Sequence, residues 1–128
     1  MGYLEVKDMV FSRGEDGNLI AQEIVLEKLT DKPTVKLIPL TRGRLQEMYA
    51  KAQSGNVEEQ IQADLDVIKF GLIEPKLTDE QIKDMKPIHA NAITTAILAI
   101  SLGQTQKEVL EATDKAVLIG DVKKKSLM

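Results

Sequence analysis

The side chains able to do chemistry in this chain are few. His89 is the only histidine. A lone imidazole supplies neither a histidine-based metal cluster nor a two-histidine proton relay. Neither Ala92 nor Ile93, at the next helical turn, offers it a carboxylate. There is no cysteine, which removes disulfides, thiolate metal sites and a thiol nucleophile. Asp64-x-Asp66 has the opening spacing of a calcium loop. The glycine at position six and the glutamate at position twelve of such a loop do not follow. Gly14 and Gly17 flank acidic residues, which would repel a phosphate, and no Gly-x-x-x-x-Gly-Lys-Ser/Thr occurs.

Two groups of charges remain. Thr41-Arg42-Gly43-Arg44 sets Arg42 and Arg44 at a predicted helix start, where free N–H groups favour an anion. The simpler reading is a strand-to-helix turn with solvated arginines. Glu58, Glu59, Asp79 and Glu80 stand in predicted first helical turns, where carboxylates oppose the helix dipole. Helix chemistry explains them without catalysis. The expectation is a non-enzyme with no catalytic residue, no cofactor and no metal. Its candidate partner-binding residues are Arg42, Arg44 and the apolar run Val117-Leu118-Ile119. That run reads either as packed on the body or as free for a partner.

These residues must be positioned by two kinds of element. The first forty residues read as β structure. Val6, Val10 and Phe11 are strand formers, and Gly14-Glu15-Asp16-Gly17-Asn18 is a turn. Leu19 to Leu29 alternates imperfectly, and Thr34 to Leu40 alternates cleanly with Val35 and Leu37 on one side. A small sheet of this kind needs a helix packed on it.

From Thr41 the period becomes helical. Thr41 caps a helix with the stripe Leu45, Met48, Tyr49 and Ala52, and Ser54-Gly55 ends it. Asn56 caps the next, where Val57, Ile61, Leu65 and Ile68 share a face and Gly71 is the stop. Glu74-Pro75-Lys76 is a loop. Thr78 with Gln81 reads as a capping box for a short helix carrying Ile82 and Met85. Pro87 suits a first helical position. Ile88 to Leu102 is apolar on most of its circumference and is expected to be the central helix, with Gly103 just beyond its end. Thr105 with Glu108 opens a last helix bearing Val109, Leu110 and Ala112.

The fold class expected is α+β: a small N-terminal antiparallel hairpin or sheet, then a mainly helical bundle of about five helices. Residues 1–120 form one domain, β-rich over 1–40 and helical over 41–120, and residues 121–128 form a polar tail containing Lys123-Lys124-Lys125. A chain of 128 residues suits one domain and needs no staples.

Composition narrows the partners. Seventeen basic side chains face twenty acidic ones, for a net charge of −3. That balance disfavours nucleic acid, which is bound by clustered Lys and Arg. The scarcity of aromatics, four in all, disfavours stacking on bases. Residues 1–10 lack the basic and apolar regions of a signal peptide. Ile88 to Leu102 is polar-interrupted and shorter than the roughly 20 residues that span a bilayer. Neither a membrane nor a nucleic acid is expected as a partner, and the absence of cysteine fits a reducing cytoplasm.

Two stretches carry a resemblance: Ile38-Pro39-Leu40-Thr41-Arg42-Gly43, and Phe70-Gly71-Leu72-Ile73-Glu74-Pro75-Lys76-Leu77-Thr78-Asp79-Glu80 followed by the apolar helix Ile88 to Leu102. Their order resembles the tail assembly chaperones of long-tailed bacteriophages and of prophages in Gram-positive bacteria, over roughly Val35 to Leu102. The resemblance implies a non-enzymatic protein of the host bacterial cytoplasm. Such a protein binds the tape measure protein and keeps it soluble during tail morphogenesis. The tail tube protein and self-association are further implied contacts. The family is often made in two forms, the longer by a ribosomal frameshift, and a lysine run such as Lys123-Lys124-Lys125 suits a slippery site. The alternative is a structural tail or connector component retained in the particle.

Overall fold

The computed structural model describes residues 5–29, 32–105 and 107–115. The elements run in the order α1 (Val6–Met9), β1 (Gln22–Val25), β2 (Thr34–Leu37), α2 (Arg42–Ala52), α3 (Val57–Gly71), β3 (Leu72–Glu74), α4 (Asp79–Lys83) and α5 (Pro87–Ser101). A last helix, α6, covers residues 107–115. The fold is α+β, with a three-stranded antiparallel sheet in the order β1-β2-β3 and five helices from α2 onward.

Two features of the β region differ from the sequence reading. Val6–Met9 is one helical turn, not strand, and Val6, Met9 and Val10 are exposed. Among the described residues no strand pairs with this segment, and β-propensity alone does not make a strand. The sheet also gains a third strand from beyond the first forty residues. Gly71 ends α3 as expected, but the chain then runs straight into β3 and pairs with β2. Leu37 faces Leu72 and Lys36 faces Glu74, with an irregularity between Lys36 and Leu37. Lys36 and Glu74 make a long, exposed ion pair at 3.9 Å. The expected loop begins only after β3, at the cis Glu74–Pro75 bond.

The 14–18 turn, which lies ahead of β1 and outside the β1–β2 hairpin, is as the residues dictate. Gly17 has φ +82°, the Asp16 carboxylate accepts from the Asn18 N–H, and Arg13 pairs with Leu19 across the turn. In β1 and β2, Ile24, Val35 and Leu37 are buried while their neighbours in sequence point outward, the period-two alternation of a sheet covered on one face.

The helix ends follow local chemistry closely. Thr41 accepts from the Arg44 N–H, and Asn56 accepts from both the Glu58 and Glu59 N–H groups. Thr78 and Gln81 form a reciprocal capping box, as do Thr105 and Glu108. Pro87 opens α5. At its other end Gly103 has φ +78°, and the N–H groups of Gly103 and Gln104 bond to the carbonyls of Ile100 and Ala99. This is the Schellman arrangement, and it satisfies carbonyls that the helix leaves open.

The core joins the inner sheet face to α3 and α5. Ile24, Leu37, Ala92, Ala96, Ile97 and Val109 are fully buried in it. α5 is buried on most of its circumference, as the sequence requires. The hub of helix packing is nevertheless α3, which meets α2, α4, α5 and β3. Its last residue explains how closely it approaches α5. A Cβ on Gly71 would lie 2.6 Å from Ile97 Cγ2, so only glycine fits between these helices. The Ser101 hydroxyl adds a polar tie: it donates to the Ile97 carbonyl at 2.7 Å and accepts from the Leu40 N–H at 2.8 Å. The end of α5 thereby holds the segment between β2 and α2.

The Val117-Leu118-Ile119 run, the lysines at 123–125, and the boundary between domain and tail all lie outside the described residues.

Candidate functional site

The face of α3 departs from its periodic pattern in a way that builds a surface. Leu65 and Ile68 are buried, but Val57 and Ile61, on the same predicted stripe, are 66% and 56% exposed. Tyr49 on α2, read as part of a core stripe, is 67% exposed, whereas Met48 beside it is buried. Periodicity identifies an apolar stripe, and the packing of other elements decides how much of it is covered.

Ile61 stands at an open cleft of about 620 Å³ between α3, α4 and α5. Leu65, Ile68, Ile82 and Ala90 contribute apolar walls, while Asp64, Lys83 and Asn91 contribute polar ones. A groove with apolar walls and charged groups at its margin suits the apolar stripe of a helix.

The carboxylates of the Asp64-x-Asp66 pair part company. Asp64 is exposed at the cleft. Asp66 is 3% exposed and accepts from Lys51 Nζ at 2.9 Å and from Gln62 Nε2 at 2.8 Å. It is a strut between α2 and α3. Among the described residues no group of three His, Asp or Glu side chains could hold a metal ion. His89 is half-buried, and its Nδ1 has no hydrogen-bond partner among the described residues.

A second cleft, of about 770 Å³, opens between the 13–19 turn, the β2–α2 junction and the end of α3. Of the two arginines singled out in the sequence, Arg44 lines it, and Arg42 is exposed elsewhere on α2. The Arg44 guanidinium lies 4.0 Å from the Phe70 ring centroid, a cation–π contact, and also meets Glu47 at 3.5 Å. Three further cations line the cleft: Arg13, Lys69 and Lys76. Lys69 is 6.0 Å from the same ring and pairs with Asp79 at 3.4 Å. Arg13 Nη1 donates to the Gly17 carbonyl at 2.8 Å. Arg13 and Lys76 make no ion pair among the described residues.

Among the described residues Asp16 is the only carboxylate lining this cleft. The backbone N–H and side-chain amide of Asn18 hold it below the ordinary carboxylate range, so it is ionised and turned into its own turn. Sequence reasoning found Arg44 through its helix start. It missed Phe70, Lys69, Lys76 and Arg13, which join it only through the fold.

Among the described residues no helix is long and apolar enough to cross a membrane. Comparisons with protein families, curated proteins and solved structures return no match.

Proposed function

We propose that this protein is a non-enzymatic assembly chaperone of the phage tail type, which binds the tape measure protein and keeps it soluble until the tail tube forms. The observation that carries the reading is the cleft between α3, α4 and α5, with apolar walls and Ile61 exposed at its margin. A tape measure protein is a long helical chain with apolar stripes, and an apolar groove covers such a stripe in the helix-in-groove manner. Many copies along one chain would gain from multivalency, so each contact need only be weak. The order of motif words from Val35 to Leu102 supports the same reading.

The test is co-expression with the tape measure protein encoded beside it. Soluble yield of that protein should rise with this chain present. An unchanged soluble fraction would remove the proposal, and a stoichiometric band of this chain in purified particles would replace it with the structural-component reading.

A further inference from the structure

Apart from the helix-binding groove, the second cleft has a chemistry of its own. The chain carries net charge −3, yet among the described residues this cleft presents four cations and a single carboxylate. Two of the cations are already neutralised: Arg44 by Glu47 and Lys69 by Asp79. Arg13 and Lys76 meet no carboxylate among the described residues, and Asp16, ionised and bonded to the neutral Asn18, offsets one of these two charges and leaves one in excess. The local field is therefore positive against a negative background, and it is held by fixed groups. Arg44 lies over the Phe70 ring at 4.0 Å, and Arg13 is tethered to its own turn. The walls between these cations are mixed polar and apolar, and their apolar part includes Ile20, which is 54% exposed, and the half-buried Ile38 and Ile73.

We infer that this cleft is a docking site for an acidic protein segment in which carboxylates alternate with aliphatic side chains. The carboxylates answer Arg13 and Lys76, and the aliphatic groups cover Ile20, Ile38 and Ile73. Charge complementarity selects the sign of the partner, and apolar burial supplies the attraction that survives salt. Nucleic acid fits less well. Phe70, the one aromatic lining the cleft among the described residues, already has Arg44 over its ring, which leaves that face closed to a base. The site does not depend on the helix-binding groove or on the identity of its partner, so either assignment can fail alone.

Fluorescence anisotropy of the full chain tests it, with a short fluorescein-labelled peptide of alternating Glu and Leu as the probe. The same peptide with Lys in place of Glu and a labelled oligothymidylate serve as comparison probes. The Glu–Leu peptide should bind, and Arg13→Gln combined with Lys76→Gln should weaken it about tenfold or more. Both positions are exposed, so the double variant should keep its circular dichroism spectrum and unfolding midpoint. Lys107→Gln, on α6 and outside the cleft, should leave binding unchanged. Equal binding by the wild type and the double variant would overturn the assignment. So would equal affinity for the Lys–Leu peptide, tighter binding of the oligonucleotide, or no binding of the Glu–Leu peptide at low salt.

Discussion

Replacing Gly71 by alanine should destabilise the protein through one identifiable contact. The added Cβ would stand 2.6, 2.7 and 2.9 Å from Cγ2, Cδ1 and Cγ1 of Ile97. Carbon atoms prefer about 3.5–4.0 Å, so three contacts would be compressed by close to 1 Å. Ile97 is fully buried and β-branched, so it has little freedom to turn aside. Overpacking of this kind costs about 1–3 kcal/mol. The gain in helix propensity opposes it by at most about 1 kcal/mol, and by less at a helix end. The net loss is about 1–2 kcal/mol. With a typical urea dependence of about 1–3 kcal/mol/M, the unfolding midpoint should fall by roughly 0.5–1.5 M. The partner change isolates the cause. Ile97→Ala alone should cost about 2–5 kcal/mol. In Gly71→Ala/Ile97→Ala the new methyl enters the space vacated by the isoleucine. The pair should then be less damaging than the sum of the single changes, by about 1 kcal/mol or more. A neutral or stabilising Gly71→Ala, or strictly additive costs, would refute this account of the α3–α5 approach. The contact matters beyond stability, because these two helices also form walls of the groove around Ile61.

Three other perturbations bear on the same frame. Ser101→Ala strands the N–H of buried Leu40 and should cost about 1–3 kcal/mol, with faster hydrogen exchange at that amide; unchanged exchange would disprove the tie. In the Lys51–Asp66 pair the acid is buried and the lysine side chain 44% exposed. Lys51→Met, which leaves a buried carboxylate with only Gln62, should therefore be more destabilising than Asp66→Asn, which leaves a lysine that water can reach; the reverse ranking in denaturant melts would contradict it. The Thr105 N–H and hydroxyl hold the Glu108 carboxyl below its ordinary value of 4.5. A depressed folded-state value means the cap's contribution is complete above pH 4.5 and is lost as pH falls through the folded value. An NMR titration should show Glu108 protonating below 4.5 and returning toward it in Thr105→Ala, and titration at or above 4.5 in the wild type would rule the cap out.

The parts of this fold legible in the sequence are those with causes lying within a few residues. Thr41, Asn56, Thr78 with Gln81, Pro87, Gly103, and Thr105 with Glu108 each act on backbone groups of their own turn, so their types and spacing suffice. The alternation in Thr34–Leu37 was likewise readable, because one side of the strand faces a core. Features with distant causes were not. Leu72–Glu74 is a strand because β2 lies beside it, and Val6–Met9, with no strand paired to it among the described residues, is a helical turn. Ser101 reaches Leu40 across 61 residues of chain, and Asp66 reaches Lys51 across 15. Ile61 obeys the same periodicity as Leu65, but only the arrangement of α4 and α5 leaves it uncovered. Within the cationic cleft, Arg44 announced itself at a helix start, whereas Arg13, Lys69 and Lys76 look like ordinary surface charges until the chain folds.

In the proposed function the α3–α4–α5 groove receives an apolar helix stripe of the tape measure protein. The most direct test is co-purification of this chain with the tagged tape measure protein, comparing the wild type with Ile61→Glu. Ile61 is 56% exposed, so the substitution should leave the unfolding midpoint nearly unchanged. Wild-type chain should be retained and Ile61→Glu should be lost from the complex. Equal retention of a folded Ile61→Glu variant would contradict it.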